Sequence, residues 1–296
     1  MAKVGLIALA CLLFAGCVGS QSRSTTADTT HVYPTVSYLK IKLDAAGHLP
    51  TNPYIRVYKN GPREIVFCGT NHLDHSDTEN PMYTTIENKF FEIKPDICVN
   101  EGGDVSKRVY KDRHEAISKN GEIGLIKILA DSLKIQCING DMTDSLEFKG
   151  LLKHYTKGEM LAYIATERCM WSVSPEKFND TAFISKKYKN FIEGYIIKTG
   201  NVNLTSEEQT LAFYKANYQK LLNRPFSFEE LEPTNPFSPK GKFQEIGRRS
   251  KEIRDQSLLK TIDTLLNKHD KVFIVFGGWH LLTSEPGLQQ IINKKR

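Results

Sequence analysis

The stretch Val272–His280, VFIVFGGWH, decides the fold. Five apolar residues, Val272 to Phe276, predict a buried strand. Gly277-Gly278 then lets backbone pass close to a neighbour before Trp279 and His280. The same arrangement stands near the other end of the chain. There the β-rich run Glu64–Cys68, EIVFC, leads into Gly69-Thr70-Asn71-His72. A strand followed by Gly-x-x-His thus occurs twice, roughly two hundred positions apart. The remainder reads as the scaffold that brings the two histidines together.

Working outward from that stretch, a long helix over about Lys242–Asn267 precedes it. Ile246, Ile253, Leu258, Ile262, Leu265 and Leu266 stand at helical spacing there. Towards the N-terminus, Tyr54–Tyr58 and Glu64–Cys68 flank Asn60-Gly61 and predict a hairpin, with Pro62 lengthening its loop. A helix over about Met82–Ile93 follows, then a strand at Ile97–Val99 running into Asn100-Glu101-Gly102-Gly103. A second helix spans about His114–Leu133, with Gly121 and Gly124 as weak points, and a strand at Lys134–Ile138 ends in Asn139-Gly140-Asp141. This alternation predicts an α/β fold with a central mixed, largely parallel sheet and flanking helices. The segment from about 150 to 235 breaks the alternation and predicts a helical insertion. Its signals are a helix start at Ser174-Pro175-Glu176, a capping box at Thr205–Glu208 and the helical face Leu211, Tyr214, Tyr218, Leu221. A Pro-rich loop closes it at 232–240. His31–Leu43 alternates loosely and suggests one more strand.

The 296 residues are 40% hydrophobic, enough for a sizeable core, so disorder is not the expected main state. The first residues differ in kind. Lys3, the apolar run Val4–Ala15 and Ala15-Gly16-Cys17 read as a lipoprotein signal over 1–16, with Cys17 as the lipidated residue. An ordinary cleaved signal or an uncleaved anchor is the competing reading. A Ser/Thr-rich tether over 17–35 follows, with the folded part at 36–296. The expected location is the bacterial cell envelope, lipid-anchored to a membrane. Removing residues 1–16 turns the net charge of +6 into +5, since Lys3 is the one charged residue among them. The basic residues are scattered with no aromatic-interleaved stripe, which argues against a nucleic-acid partner. Cys68, Cys98, Cys137 and Cys169 read as buried thiols, with one bridge between neighbouring strands left open. No C-x-x-C pair is present for a cysteine-based zinc site.

Four predicted strands end in polar residues: His72, Glu101, Asp141 and His280. Parallel neighbours share one carboxyl edge, where ligands bind. Two imidazoles and a carboxylate meeting there make a hydrolytic metal constellation, with the carboxylate as ligand or base. Trp279 reads as a wall of the site, whereas Asp74 and His75 read more as loop residues than as extensions of it, and Asp141 more as a turn residue than as part of it. A structural salt bridge is the competing role for Glu101, and a hydrogen-bonded loop residue that for His72. His114, His154 and His269 read as ordinary. Ser250 and Ser257 lie in no nucleophile elbow.

Gly69-Thr70-Asn71-His72, Glu101, Arg254-Asp255 and Gly277-Gly278-Trp279-His280 together resemble the TraB/PrgY/Tiki group. That group belongs to a wider superfamily with erythromycin esterases and ChaN-like haem-binding lipoproteins. The resemblance covers roughly 60–110 and 245–290. It implies a divalent-metal-dependent peptidase or hydrolase acting on a peptide or small molecule, with manganese or cobalt as the metal; zinc is the third cofactor the histidine and carboxylate set admits. His72, Glu101 and His280 would be catalytic and metal-binding residues, and Arg254 a further catalytic residue. The alternative it leaves is a surface lipoprotein of the same fold that binds haem or a peptide without turnover.

Overall fold

The computed structural model describes residues 32–42, 49–72 and 75–295. The signal at 1–16, Cys17 and most of the tether lie outside the described residues. Packing onto the fold begins at Tyr33, earlier than the expected boundary at 36. Tyr33 is buried, its N–H donates to Gln256 Oε1 at 2.9 Å and its hydroxyl to Asp263 Oδ2 at 2.6 Å. The strand expected within His31–Leu43 does not form in the described part, which is extended chain and a 3-10 turn at Tyr38–Lys40. The Val36 N–H goes to the carbonyl of Thr283, on a helix, instead of to a sheet edge.

Five strands make the sheet: β1 (Tyr54–Asn60), β2 (Arg63–Thr70), β3 (Ile97–Asn100), β4 (Gln136–Asn139) and β5 (Lys271–Gly277). Their order is β1-β2-β5-β3-β4, and only β1 is antiparallel to its neighbour. Asn60 pairs with Arg63, so Gly61-Pro62 is a two-residue turn with Gly61 at φ 60°. Pro62 completes the hairpin turn and does not lengthen it. The described helices, in chain order, are α1 (Pro81–Ile93), α2 (Arg113–Ser132), α3 (Asp144–Leu151), α4 (Lys157–Arg168), α5 (Thr181–Phe191), α6 (Leu211–Leu222), α7 (Lys242–Leu266) and α8 (Gly278–Ile292). A π-helix, Ile192–Thr199, continues α5.

Alternate residues of the strands supply two cores. Val66, Cys68, Cys98, Phe273 and Val275 pack with α1 and α2. Ile65, Phe67, Val99, Val272, Ile274 and Phe276 pack with α7 and α8. Because both faces are covered, the strands are near-continuous apolar runs. Each such large side chain contributes about 1.5–3 kcal/mol on burial. Phe273, for example, meets the ring of Phe90 on α1 at 5.4 Å, edge to face.

The helices α3–α6 form the insertion, and its core includes Phe148, Tyr163, Tyr188, Tyr214 and Tyr218. The start of α7 joins that core through Phe243 and Ile246. Two local expectations differ. Ser174-Pro175 opens only a 3-10 turn, Pro175–Lys177. Thr205 and Glu208 do exchange hydrogen bonds, at 2.8 and 3.2 Å, but they close a turn that is not propagated. The helix α6 starts after Thr210, whose hydroxyl accepts the Phe213 N–H. A full capping box stands instead at Thr156 and Glu159 on α4. Cys68, Cys98, Cys137 and Cys169 are free and buried, with Cys98 level with Cys137 on adjacent strands. No described helix is long and apolar enough to cross a membrane.

Candidate active site

The parallel strands β2, β5, β3 and β4 deliver their carboxyl ends to one edge of the sheet. His72 follows β2, Glu101 follows β3, Asp141 follows β4, and His280 lies in the first turn of α8, which continues β5 without a loop. The strand β5 lies between β2 and β3, with Thr70 level with Gly277 and Asn100 level with Val275. That register sets Glu101 beside Gly277, whose N–H donates to Glu101 Oε2 at 2.6 Å. A Cβ at Gly277 would stand 3.0 Å from Glu101 Oε2 and 3.1 Å from His72 Nε2, so glycine gives the three groups room to meet. His72 itself has a left-handed backbone, φ 48°, a costly conformation for a non-glycine residue and one that clusters at functional sites.

Both imidazoles address the same carboxylate. His72 Nε2 lies 3.5 Å from Glu101 Oε2, and His280 Nε2 lies 3.7 Å from Glu101 Oε1. Each Nδ1 is held by a carboxylate of its own. His72 Nδ1 is 2.6 Å from Glu122 Oε1, and His280 Nδ1 is 2.5 Å from Asp255 Oδ1. Thr70 donates to Glu122, while Thr283 and Tyr38 donate to Asp255 Oδ2 at 2.8 and 3.1 Å. When a carboxylate accepts a hydrogen bond from Nδ1–H, ring orientation and tautomer are set together and Nε2 faces the site.

Glu122 reaches this position because α2 breaks. Asn120 and Gly121 leave helical geometry, with Gly121 at φ 54°, and the helix restarts at Glu122. The positive φ is what favours glycine at 121; a Cβ there would also lie 2.5 Å from His75 Nε2, a contact the imidazole can relieve by turning. The Glu122 Oε2 atom is buried and has no hydrogen-bond partner among the described residues.

Arg254, on α7, clamps the other side of Glu101. Its Nε and Nη2 donate to the two oxygens of Asp141 at 2.9 and 2.6 Å, and Nη2 also donates to Glu101 Oε1 at 2.8 Å. Burial opposes the charge on Arg254, but Asp141 and Glu101 raise its pKa. Burial likewise opposes ionisation of Glu101, but His72, His280 and Arg254 outweigh it and hold the carboxyl far below its usual range. The Glu101 hydrogen bond, then that of Glu122, pushes His72 up to about 10, although its side chain is half exposed. Burial pulls Glu122 up and His72 more than reverses it, leaving that carboxyl lowered.

These groups open onto a cleft of about 310 Å³, lined also by Tyr38, Asn71, Lys251 and Trp279. His72, Glu101, Asp141 and His280 therefore come together as the strand ends predict, and Arg254 joins them from α7. Trp279 stands at the rim, 37% exposed and edge-on to Phe237 at 4.6 Å. His75 lies over Gly121, outside the cleft lining, and Asp74 and Cys17 lie outside the described residues. The sequence reading missed Glu122, Tyr38 and Lys251, and assigned no role to Asp255. The chain matches no protein-family model and no curated protein sequence.

No three His, Cys, Asp or Glu side chains among the described residues stand as a ready-made metal centre. The donor chemistry nevertheless fits a divalent cation. Two imidazoles present Nε2 with Nδ1 tied to carboxylates, which is how metal-ligating histidines are oriented, and a third carboxylate lies between them.

Proposed function

We propose that the protein is a hydrolase of peptide or related acyl bonds, lipid-anchored at the bacterial envelope through Cys17. His72, Glu101 and His280 are its centre, with Arg254 beside them. One observation carries the reading: two imidazoles aim Nε2 at a single carboxylate, while a separate buried carboxylate fixes each Nδ1. Packing alone does not ask for that symmetry, because each buried carboxylate costs free energy unless it is paired. The resemblance of the two Gly-x-x-His segments to the TraB/PrgY/Tiki group supports the same reading.

His72, Glu101 and His280 would hold manganese, cobalt or zinc, and the cation would acidify a water and polarise the substrate carbonyl. Glu122 and Asp255 keep the imidazoles turned inward. Asp141 fixes the Arg254 plane, leaving its Nη1 donors for the charge that develops on the carbonyl oxygen. The N-terminus of α8 adds positive potential at the same place.

The test is metal content and metal affinity of the purified protein against His72→Ala and His280→Ala. Stoichiometric manganese, cobalt or zinc lost in both variants supports the reading. Folded protein that takes up none of the three removes the metal. Haem or peptide binding with no turnover in a peptide panel, unchanged in Glu101→Gln, would leave the ligand-binding alternative.

A further inference from the structure

We propose that the cleft takes a substrate carrying a carboxylate next to an apolar or aromatic group, and that Lys251 is the specificity residue reading the carboxylate. The proposal rests on the hydrolase reading of the same cleft and names what that hydrolase accepts.

Lys251 and Arg254 are three residues apart on α7, so they share a helix face, and both line the cleft. Each has donors to spare. Lys251 Nζ is 3.7 Å from Glu167, beyond a hydrogen bond, and its side chain is only 20% exposed. Arg254 uses Nε and Nη2, while Nη1 meets no acceptor among the described residues. Mostly buried cations with unused N–H groups bind anions strongly, because charge-assisted hydrogen bonds gain most where water is scarce. The wall suits a monoanion and not a dianion, since Asp141, Glu101 and Glu167 carry one charge more than Lys251 and Arg254 together and leave recognition to the unused N–H groups.

The apolar part has its own surface. Tyr38, Phe237 and Trp279 form a row, with ring centroids 5.7 Å apart for the first pair and 4.6 Å for the second. Tyr38 and Trp279 line the cleft, and Trp279 keeps an open face. Aromatic walls of this kind favour an apolar or aromatic side chain. A volume of about 310 Å³ lies at the lower end for small-molecule sites, so a short segment is accommodated, not a folded partner. The carboxylate can be a peptide's C-terminus or an Asp or Glu side chain. The recognition chemistry is shared.

The chain has two tryptophans, so Trp171→Phe leaves Trp279 as a fluorescent reporter in the cleft. The full chain with this change is titrated with three probes: N-acetyl-Ala-Phe, its C-terminal amide, and N-acetyl-Asp-Phe amide. At least one carboxylate probe is expected to bind about tenfold or more tightly than the neutral amide, and the tighter of the two names the source. The preference is expected to collapse in Lys251→Met and to persist in Lys251→Arg, with thermal melts confirming that both variants are folded. Equal binding of all three probes overturns the proposal. So does an unchanged preference in Lys251→Met, or no binding up to about 10 mM. Glu101→Gln separates the two readings. If it abolishes turnover while the preference is absent, Lys251 fails and the hydrolase stands. If turnover is indifferent to it while the preference holds, the reverse is true.

Discussion

Two arginines of this protein sit on helices, mostly buried and ringed by carboxylates, yet their surroundings differ in one respect. Arg168, in the insertion, donates from Nη2 to both oxygens of Glu147 at 2.8 and 2.9 Å. Its Nη1 serves Asp144 at 2.9 Å and the Tyr195 hydroxyl, and Nε serves Glu167 at 3.3 Å. All three of its nitrogens are engaged. Arg254 engages Nε and Nη2, while its Nη1 has no hydrogen-bond partner among the described residues and the residue lines an open cleft. A saturated guanidinium is a structural pin, whereas one held rigidly by part of its fork can still act on a ligand. The two are also linked. Glu147, the main partner of Arg168, accepts the hydroxyl of Ser250 at 2.6 Å, one turn before Arg254 on α7.

The largest effect should come from Arg168→Met, which strands Glu147, Asp144 and Glu167. A loss of about 3–5 kcal/mol is expected, read as a drop in Tm of roughly 6–20 °C at about 2–4 °C per kcal/mol. Arg254→Met should melt closer to wild type, because Glu101 keeps the Gly277 N–H and two imidazoles nearby. It should instead lower kcat by about 10²–10³, the usual cost of losing one oxyanion donor. Equal melting temperatures with unequal turnover in the opposite sense would end the distinction. Next in size, Glu122→Gln and Asp255→Asn should each cost about 10–100-fold in metal affinity or turnover while the protein stays folded. Isothermal titration with manganese on both variants checks this.

The pH response sharpens the comparison further. Burial raises the Glu167 pKa, but Lys251 and Arg168 outweigh it and leave it below its ordinary value of 4.5. A lowered folded-state pKa stabilises above the unfolded value, and that contribution disappears as pH falls through the folded one. Glu167→Gln should therefore flatten part of the acid limb of a stability–pH curve and leave neutral to alkaline stability without a new pH dependence. A curve that keeps its acid limb unchanged in this variant would count against the pairing. Smallest of all, Tyr38→Phe removes one hydrogen bond to Asp255, about 1 kcal/mol. Calorimetry should show it as roughly 2–4 °C in Tm.

What could be read in the sequence divides along physical lines. His72, Glu101, Asp141 and His280 each follow an apolar run, and parallel pairing alone puts such positions on one edge. Their meeting needed no knowledge of helix orientation. Arg254 was reached through its neighbourhood in a resemblance, since nothing in the pattern of α7 separates it from the solvated charges around it. Glu122 depends on the break at Asn120–Gly121, which the weak-helix signal of Gly121 marks without saying which side chain it turns inward. A glutamate directly after that glycine and ahead of Ile123-Gly124-Leu125-Ile126 was the available clue. Asp255 and Lys251 depend on how α7 rotates against the sheet, which is settled by packing. Tyr38 lay hidden in a segment whose alternation suggests a strand, while its backbone bonds to a helix instead.

The central place of β5 has a consequence in time. It separates β2 from β3, so ribosomal synthesis reaches residue 271 before the sheet can close. Pairing Glu64 with Lys271 is among the most non-local contacts in the chain, and such contacts form late. Until then Glu101 lacks the Gly277 amide, and both the His72 and His280 sites are incomplete. A nascent or truncated chain ending before Lys271 would lack the assembled cleft, with β2 and β3 carrying open edges for chaperones to cover. Pulse-labelled chains of graded length should gain protease resistance in one step as β5 is added.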